Sequence, residues 1–428
     1  MKRLLRYHRV WWWLLGIVAV SCLAWLLLLP RTSEDDRIPI TINYSPGYGI
    51  KVYNKQGVGT DALIATNTHL TATRLTTING IAMYQIGANR YIPKSLTQIG
   101  RGQAKNVSQA EDDLVAETHF QGTIATIQHN KISSVRSYGY QNAGAKIKNS
   151  ANTMYPIASA EKMMTAVLIA QLIQKGQLSY DTKLSQFYPK VDGVDKITVR
   201  QLLDHRSGIQ MNETYPDTPL KTEQDAINWT LNHLDTSDDH GYSYTNANFV
   251  LLSGIVRQVT KQSYMQVLKA RILTPLKLQQ SKNYDQLTSR DAVAQGYQYE
   301  DGHDNQPQPI SQGLLSSLPG TGSLYMSAAD MARFQIALNT NSLLPQAAFK
   351  KLLTMTVEPE ADESAYAGGW FLGDGYRMVH GSYNDFAWSF DSIIEMKSTG
   401  GSGIVLLANQ STDTDTQQLA ENILKIGG

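Results

Sequence analysis

The stretch YPIASAEKMMTAVLIAQLIQKG places Ser159 and Lys162 three residues apart at the start of an apolar run. On a helix these two residues share one face about a turn apart, so their side chains can touch. The apolar residues that follow predict a helix buried in an interior, where desolvation lowers the proton affinity of a lysine. A deprotonated amine can activate a serine hydroxyl, and the pair therefore indicates nucleophilic catalysis.

A Ser-x-x-Lys string alone is weak evidence, because it arises by chance about once or twice in a chain of this composition. Its context is more specific: YSYTNANFVLLSGIV, TGSLYMSAADMARF and YRMVHGSYNDF follow in that order. With these stretches the chain resembles the serine β-lactamase and penicillin-binding protein superfamily, in its class C-like branch, over residues 114–428. Members similar to this chain include teichoic-acid D-alanine esterases and DD-carboxypeptidases.

The resemblance implies roles for four residues. Ser159 is expected to be the acylated nucleophile and Lys162 its proton acceptor. Tyr244 in the Tyr-Thr-Asn string is expected near the nucleophile as a proton relay, and Asn246 near the substrate amide. The alternative for the string is a helix entry with a polar cap. His205, in LLDHRSGI, matches a family loop outside the chemistry and is interpreted as structural.

The third family motif is Lys or His, then a small residue, then Gly, on a strand that borders the site. This chain offers His380, Gly381 and Ser382, so the final glycine is missing at Ser382. The resemblance implies substrate binding by these three residues. It also implies an oxyanion hole from the backbone N–H groups of Ser159 and Tyr383. The alternative for His380 is an ordinary surface strand residue.

Two substrates outside a bacterial membrane present a D-alanyl carbonyl: the D-Ala-D-Ala end of peptidoglycan stems and D-alanyl esters on teichoic acids. The peptide carries a carboxylate, whereas the ester carries an ammonium. A mostly neutral His380 is a poor partner for a carboxylate, and Asp385 nearby in sequence could pair with an ammonium. The sequence therefore favours an extracytoplasmic serine hydrolase that removes D-alanyl esters over a DD-carboxypeptidase.

The elements around these residues predict an α+β fold for residues 114–428. Strand-like runs GTIATIQH and SVRSYGY precede the nucleophile, and WSFDSIIEM and GSGIVLLANQ lead to a last helix. Helical patterns fill the middle of the chain. The expected β-lactamase-like domain has one antiparallel sheet built from both termini, flanked by helices, and a helical lobe beside it.

The N-terminus predicts a membrane anchor. Residues 1–9 are basic, and residues 10–30 form an uncharged span about long enough to cross a bilayer. The positive flank predicts a cytoplasmic N-terminus, which places everything after Arg31 outside the cell membrane. A cleaved signal peptide is the alternative, and Cys22 lies in a poor setting for lipidation.

Short β-type runs separated by turn signals predict a small all-β module at residues 38–98. This stretch resembles the SH3-like or surface-layer-type modules of bacterial wall proteins, so wall binding and a passive spacer are both open. A polar segment at 99–113 is expected to be a linker.

Other classes of protein fit less well. The net charge is +1 and no basic run is interleaved with aromatic residues, which argues against a nucleic-acid partner. The nine histidines are scattered without HExxH or paired CxxC motifs, so no metal or other cofactor is expected. A Ser-His-Asp hydrolase requires G-x-S-x-G, and the string around Ser402 fails that pattern. A receptor that kept the fold without activity is the remaining alternative.

Overall fold

The computed structural model describes residues 37–42, 49–65, 68–99, 107–116, 118–300, 303–357, 365–373, 375–383, 389–399, 401–411 and 416–427. The chain divides into two compact units, the first ending at Gly102 and the second beginning at Gln103. The predicted anchor at 10–30 lies outside the described residues. Within the described ranges, no helix combines the length and apolar character needed to cross a membrane.

The first unit is built from strands. Its two antiparallel sheets have the strand orders β4-β1-β8 and β3-β2-β7-β6-β5, and a core of aliphatic side chains and Tyr84. Alternating burial along β1 shows one face turned inward. The strands are β1 (Ile38–Ile42), β2 (Gly49–Tyr53), β3 (Gly59–Ala65), β4 (His69–Ala72), β5 (Arg74–Ile78), β6 (Ile81–Gly87), β7 (Arg90–Pro93) and β8 (Thr97–Ile99). Wall binding by this unit stays a prediction.

The second unit contains a seven-stranded antiparallel sheet of order β10-β9-β24-β23-β22-β21-β20. Strand β9 near the start of the unit pairs with β24 near its end, which confirms that both termini build one sheet. The apolar strand β24 is buried along its whole length, as expected for a central strand. The strands are β9 (Gly122–Gln128), β10 (Lys131–Tyr138), β20 (Tyr366–Ala367), β21 (Trp370–Gly373), β22 (Tyr376–Ser382), β23 (Asp391–Lys397) and β24 (Gly403–Ala408).

Helices and short strands form the rest of the unit. The helices are α1 (Val107–Ala116), α2 (Glu161–Gln174), α3 (Val199–Leu203), α4 (Glu223–His233), α5 (Asn246–Thr260), α6 (Tyr264–Leu268), α7 (Gln312–Ser317), α8 (Ala328–Asn339), α9 (Gln346–Leu352) and α10 (Thr416–Gly427). The short strands are β11 (Tyr140–Asn142), β12 (Ile147–Lys148), β13 (Tyr155–Pro156), β14 (Ile209–Met211), β15 (Leu234–Thr236), β16 (Ser281–Asn283), β17 (Tyr297–Glu300), β18 (His303–Pro307), β19 (Leu324–Met326) and β25 (Gln410–Ser411).

Helix α2 lies at the centre of this unit. All but three of its residues are buried, and the apolar ones among them belong to the largest apolar core of the described residues. A helix that is apolar on every side is stable only inside a core, which is why the polar residues at its start are drawn into the interior. The α+β, β-lactamase-like architecture predicted from the sequence is confirmed.

The boundary predicted before this unit is wrong in part. The segment 99–113 was expected to be a polar linker, but helix α1 begins at Val107 and contacts α10. Val115 and Glu111 are buried, and the Tyr138 hydroxyl donates to Glu111 at 3.0 Å. The polar composition of the helix gives no sign of this packing, because Glu111 and Asp112 are paired with Tyr138 and Arg136 of β10.

The end of β22 borders the start of α2. Strand β21 pairs with β22 only as far as Met378, whereas β23 pairs with it as far as Ser382. Among the described strands, the last four residues of β22 are therefore paired on one side only. This one-sided stretch contains the predicted third motif.

Candidate active site

Ser159 lies in a single 3-10 turn, Ala158–Ala160, that leads directly into α2. This arrangement keeps Ser159 and Lys162 on one face, and Lys162 Nζ lies 2.8 Å from Ser159 Oγ. Ala158 has a φ of 47°, a left-handed backbone conformation that is costly for a residue with a side chain. The turn is thus held in a strained conformation beside the predicted nucleophile.

Lys162 is fully buried. Its burial lowers the pKa of the amine to about 7, although the nearby carboxylates of Glu213 and Glu161 act in the opposite direction. The Asn246 Oδ1 atom accepts a hydrogen bond from Nζ at 2.7 Å, and the Tyr244 ring centroid lies 4.9 Å from Nζ. Near neutral pH a large share of Lys162 is therefore a free amine that can accept a proton.

Tyr244 contacts both Ser159 and Lys162. Its hydroxyl donates to Ser159 Oγ at 2.9 Å, while the residue as a whole remains 39% exposed. Desolvation raises the pKa of the phenol above its usual value, so the group is protonated at neutral pH. The structure thus brings together the three residues that the sequence predicted to be catalytic.

His205 packs against Tyr244, with ring centroids 4.2 Å apart. Its Nδ1 atom lies 3.0 Å from Asn248 Nδ2 and 3.3 Å from the Thr245 backbone nitrogen, which donates to it. Burial holds the pKa of His205 well below its usual range, with the charge of Lys162 as a second cause. A neutral His205 therefore supports the Tyr-Thr-Asn segment.

Glu213 is a site residue that the sequence reasoning missed. One carboxylate oxygen accepts from the Asn246 backbone N–H at 2.9 Å and from Thr245 Oγ1 at 3.1 Å, and the other from Asn246 Nδ2 at 2.7 Å. These bonds fix the amide of Asn246 with its oxygen toward Lys162. Asn246 thus bonds Lys162 and Glu213, and its predicted contact with the substrate amide stays a prediction.

Glu161 was also missed. Its buried carboxyl group accepts hydrogen bonds from the backbone N–H groups of Gly320, Ser323 and Leu324 at 3.1, 2.7 and 3.0 Å. Burial raises the pKa of Glu161 to about 7 despite these bonds. The group ties the start of α2 to the segment before β19. No short sequence motif predicts Glu161 or Glu213 as a site residue, because the hydrogen-bond partners of both are distant in sequence.

The third motif meets the nucleophile through Gly381. A Cβ atom on this residue would lie 2.6 Å from the Ile157 carbonyl oxygen and 3.0 Å from the Ser159 nitrogen, too close for any side chain. The family resemblance placed the final glycine of the motif at position 382, where this chain has Ser382; the structure places it one residue earlier. The position that must lack a side chain is Gly381, and a glycine occupies it.

The pairing of β22 also sets the direction of its backbone groups. Ser398 N donates to the Gly375 oxygen at 2.7 Å, so every second residue from Gly375 to Gly381 directs its N–H toward β23. Ser382, the next residue after Gly381, belongs to the alternate set of residues. Its N–H therefore points away from β23, toward the edge of β22 that β21 leaves unpaired. The oxyanion role predicted for the Tyr383 N–H stays a prediction; the side chain of Tyr383 is buried, and its hydroxyl donates to the Gly322 oxygen.

His380 alternates with Gly381 along the strand, so its side chain lies on the opposite face of the sheet. Its Nε2 atom lies 2.6 Å from Asp391 Oδ1, and the two side chains are 40% and 16% exposed. The other residue invoked for substrate charge, Asp385, lies outside the described residues.

Comparisons with known proteins agree with this geometry. The protein-family model described as Beta-lactamase matches residues 107–428. The match covers most of the chain, which therefore belongs to the β-lactamase family.

The sequence identity to individual relatives is low. The Teichoic acid D-alanine hydrolase of Staphylococcus aureus (strain MRSA252) is 28% identical over 223 residues, 52% of this chain and 55% of that protein. The chain thus spans about half the length of this curated relative.

Solved structures show the same fold. FmtA from Staphylococcus aureus superposes with a TM-score of 0.64 and 22% identity, covering 75% of this chain and 90% of that one. A penicillin binding protein from Bacillus halodurans gives 0.61 and 24%, covering 74% and 98%. D-amino acid amidase from Ochrobactrum anthropi SV3 gives 0.62 and 21%, covering 75% and 96%. These solved structures share the fold of the second unit.

Proposed function

We propose that this protein is a serine hydrolase of the cell envelope that removes D-alanyl esters from teichoic acid through an acyl-enzyme on Ser159. The contact of Ser159 Oγ with both Lys162 Nζ and the Tyr244 hydroxyl carries the proposal. A nucleophile, a base and a proton donor lie within hydrogen-bonding distance before any substrate arrives. The similarity to a teichoic acid D-alanine hydrolase supports the choice of substrate.

In the acylation step, Ser159 Oγ attacks the ester carbonyl carbon while the neutral amine of Lys162 takes the hydroxyl proton. The carbonyl electron pair moves onto oxygen, and the backbone N–H groups of Ser159 and Ser382 are the donors we propose for stabilising it. When the tetrahedral intermediate collapses, the bond to the polymer oxygen breaks. That oxygen receives a proton from Tyr244, which Lys162 then reprotonates.

Deacylation reverses these roles. The deprotonated Lys162, acting through Tyr244, takes a proton from water as the water oxygen attacks the acyl carbon. The bond between that carbon and Ser159 Oγ then breaks, and Ser159 recovers its proton. Free D-alanine and the polymer hydroxyl are the products.

The third motif favours an ester over a peptide with a terminal carboxylate. His380 is the motif residue whose type could supply a cation, but its side chain lies on the face of the sheet opposite that of Gly381, 2.6 Å from the carboxylate of Asp391. A carboxylate already paired with His380 offsets the charge that a second carboxylate would need. A D-alanyl ester carries no terminal carboxylate and makes no such demand.

The deciding experiment offers D-alanylated lipoteichoic acid and a D-Ala-D-Ala muropeptide to the purified protein and measures released D-alanine. We expect release from the polymer and none from Ser159→Ala, with Ser402→Ala as a matched serine control. Release from the muropeptide alone would identify a DD-carboxypeptidase. No release from either, with no labelling by a fluorescent penicillin, would indicate a receptor without activity.

We also propose that residues 10–30 anchor the protein in the cell membrane, with residues 1–9 cytoplasmic and the hydrolase unit outside. The support is the basic flank before an uncharged span. Protease added to intact, wall-stripped cells is expected to degrade the chain beyond Arg31. Protection of the bulk of the chain would contradict this orientation.

A further inference from the structure

A cleft of about 470 Å³ lies beside α6 and β16, and nothing in the proposed chemistry uses it. Three lysines line it, Lys269, Lys277 and Lys282, and we call it the lysine cleft. Met265, Leu273 and Leu278 supply apolar surface between them. The remaining lining residues are polar and uncharged, and no carboxylate is among them. The cleft therefore combines positive charge with a partly apolar wall.

The backbone holds these lysines in an unusual arrangement. Residues Lys269–Leu273 form one turn of π-helix, a rare geometry that is frequent at functional sites. Lys277 has a φ of 55°, in the left-handed region that side-chain-bearing residues seldom adopt. The Leu278 N–H donates to the Leu273 oxygen at 2.9 Å and closes this segment. The two lysines therefore belong to a folded segment and not to a loose loop.

The third lysine comes from a different element. Lys282 lies on β16, and its Nζ is 2.6 Å from Asp291 Oδ1, which orients the side chain. Because that pair is largely neutralised, Lys269 and Lys277, both exposed, supply most of the positive charge of the cleft. A ligand that suits the cleft has negative charges and short uncharged carbon segments between them.

We propose that the lysine cleft binds the phosphodiester backbone of the polyol phosphate polymer whose D-alanyl esters the enzyme removes. The inference rests on the proposed function and adds a binding site for the polymer itself. Each phosphodiester group carries one negative charge, which an exposed ammonium group can meet as a point charge. The carbon chain between phosphates can lie on Met265, Leu273 and Leu278. The cleft belongs to the same folded unit as the nucleophile, since Tyr264 of α6 bonds Thr165 of α2 at 2.8 Å.

The test compares the double variant Lys269→Gln/Lys277→Gln with Lys146→Gln/Lys148→Gln, which removes the same two charges from an exposed part of the same unit. The probe is poly(glycerol phosphate) without D-alanine, and its Kd is measured at low and high salt. We expect the Kd to rise about threefold to tenfold in the cleft variant only. Added salt is expected to shrink the difference, because exposed charges are screened.

Turnover separates this site from the catalytic one. In the cleft variant, KM for D-alanylated polymer is expected to rise with its Kd, while kcat/KM for a small soluble D-alanyl ester stays unchanged. An unchanged polymer Kd, or an equal rise in the Lys146/Lys148 variant, would overturn the proposal. Binding of anionic phospholipid vesicles without binding of the polymer would also overturn it, in favour of a membrane surface. Polymer binding without release of D-alanine from any substrate would refute the esterase and leave the cleft standing.

Discussion

The two borders of the candidate site are constructed in different ways. At the start of α2 the site is formed by side chains: Lys162 and Glu161 are fully buried, and both have partners at hydrogen-bonding distance. At the end of β22 the backbone meets the nucleophile, through Gly381, while the side chain of His380 is 40% exposed and pairs with Asp391.

This difference separates two tasks of catalysis. Proton transfer needs a group whose pKa is near the working pH, and burial without full charge pairing is what brings Lys162 there. Stabilising an oxyanion needs rigid donors in a fixed position, which a paired strand supplies without any ionisable side chain. Changes at the helix should therefore alter proton transfer and its pH dependence, and changes at the strand should alter geometry.

The largest effect is expected from Lys162→Met, which keeps the length of the side chain and removes the base. Covalent labelling of Ser159 by a serine probe should slow by about 10²-fold to 10⁴-fold. In the unaltered protein the labelling rate should rise with pH through about 7, as the amine loses its proton. Stopped labelling reactions across a pH series measure both quantities.

The same variant should also be more stable. The folded state holds Lys162 with a lowered pKa, so it binds fewer protons than the unfolded state, and stability falls as pH drops from the unfolded pKa toward about 7. Removing the buried amine should raise the free energy of unfolding at pH 7. Lys175→Met, at the exposed end of the same helix, is the control. Equal slowing of Ser159 labelling in Lys162→Met and Lys175→Met would contradict the role of Lys162 as base.

The helix border was the part of the site that the sequence could predict. An i, i+3 spacing fixes the relation of Ser159 and Lys162 wherever the helix lies, and an apolar run fixes that it lies inside. The order of the later motifs, through the family resemblance, then predicted Tyr244 beside them and the antiparallel sheet of both termini. These features are local, or are repeated across a family.

A smaller effect, on geometry, is expected from Gly381→Ala. The added Cβ would lie 2.6 Å from the Ile157 oxygen and 3.0 Å from the Ser159 nitrogen, so strand and turn must move apart. A displacement of this kind can slow acylation by up to about 10²-fold, without moving the pH midpoint of labelling. Gly144→Ala, whose Cβ meets only Asn142 Oδ1 at 3.6 Å, is the matched control. Normal labelling in Gly381→Ala would show that the strand does not set the geometry of the nucleophile.

The strand border shows where sequence reasoning stops. The register of β22 against β23 decides which residue faces Ser159, and a shift of one residue exchanges the two faces of a strand. The string VHGSY does not contain that register, so the sequence predicts the motif glycine one residue too late, at Ser382; the oxyanion donor we propose is accordingly the Ser382 N–H and not that of Tyr383. Glu213 and Glu161 were missed for a related reason: their partners, at the start of α5 and in the segment that leads into β19, are brought to them only in the folded chain.

A still smaller effect, and one specific to the helix border, is expected from Glu213→Gln. The neutral amide loses the negative charge that raises the pKa of Lys162, and it cannot accept all three hydrogen bonds from Thr245 and Asn246. The acidic midpoint of the labelling profile should therefore move to lower pH, and the plateau rate should fall about tenfold, the lower end of the effect of one lost hydrogen bond to a charged group. Asp217→Asn, on the same connecting segment, should leave both unchanged. A lower rate with an unmoved midpoint would reduce Glu213 to a purely structural role.

The smallest effect is expected from His380→Ala, and it tests the comparison most directly. If the strand acts through its backbone, the loss of a partly exposed His380–Asp391 pair should change stability by only about 0–1 kcal/mol. The rate of ester hydrolysis should then change less than about threefold, because so small a loss of stability leaves the protein folded and Gly381 in position. Asp391→Ala and the double variant complete the cycle, with D-alanine release and thermal unfolding as the measurements. A loss of hydrolysis as large as that in Gly381→Ala would mean that the imidazole contacts the substrate, as the sequence predicted, and that both borders of the site work through side chains.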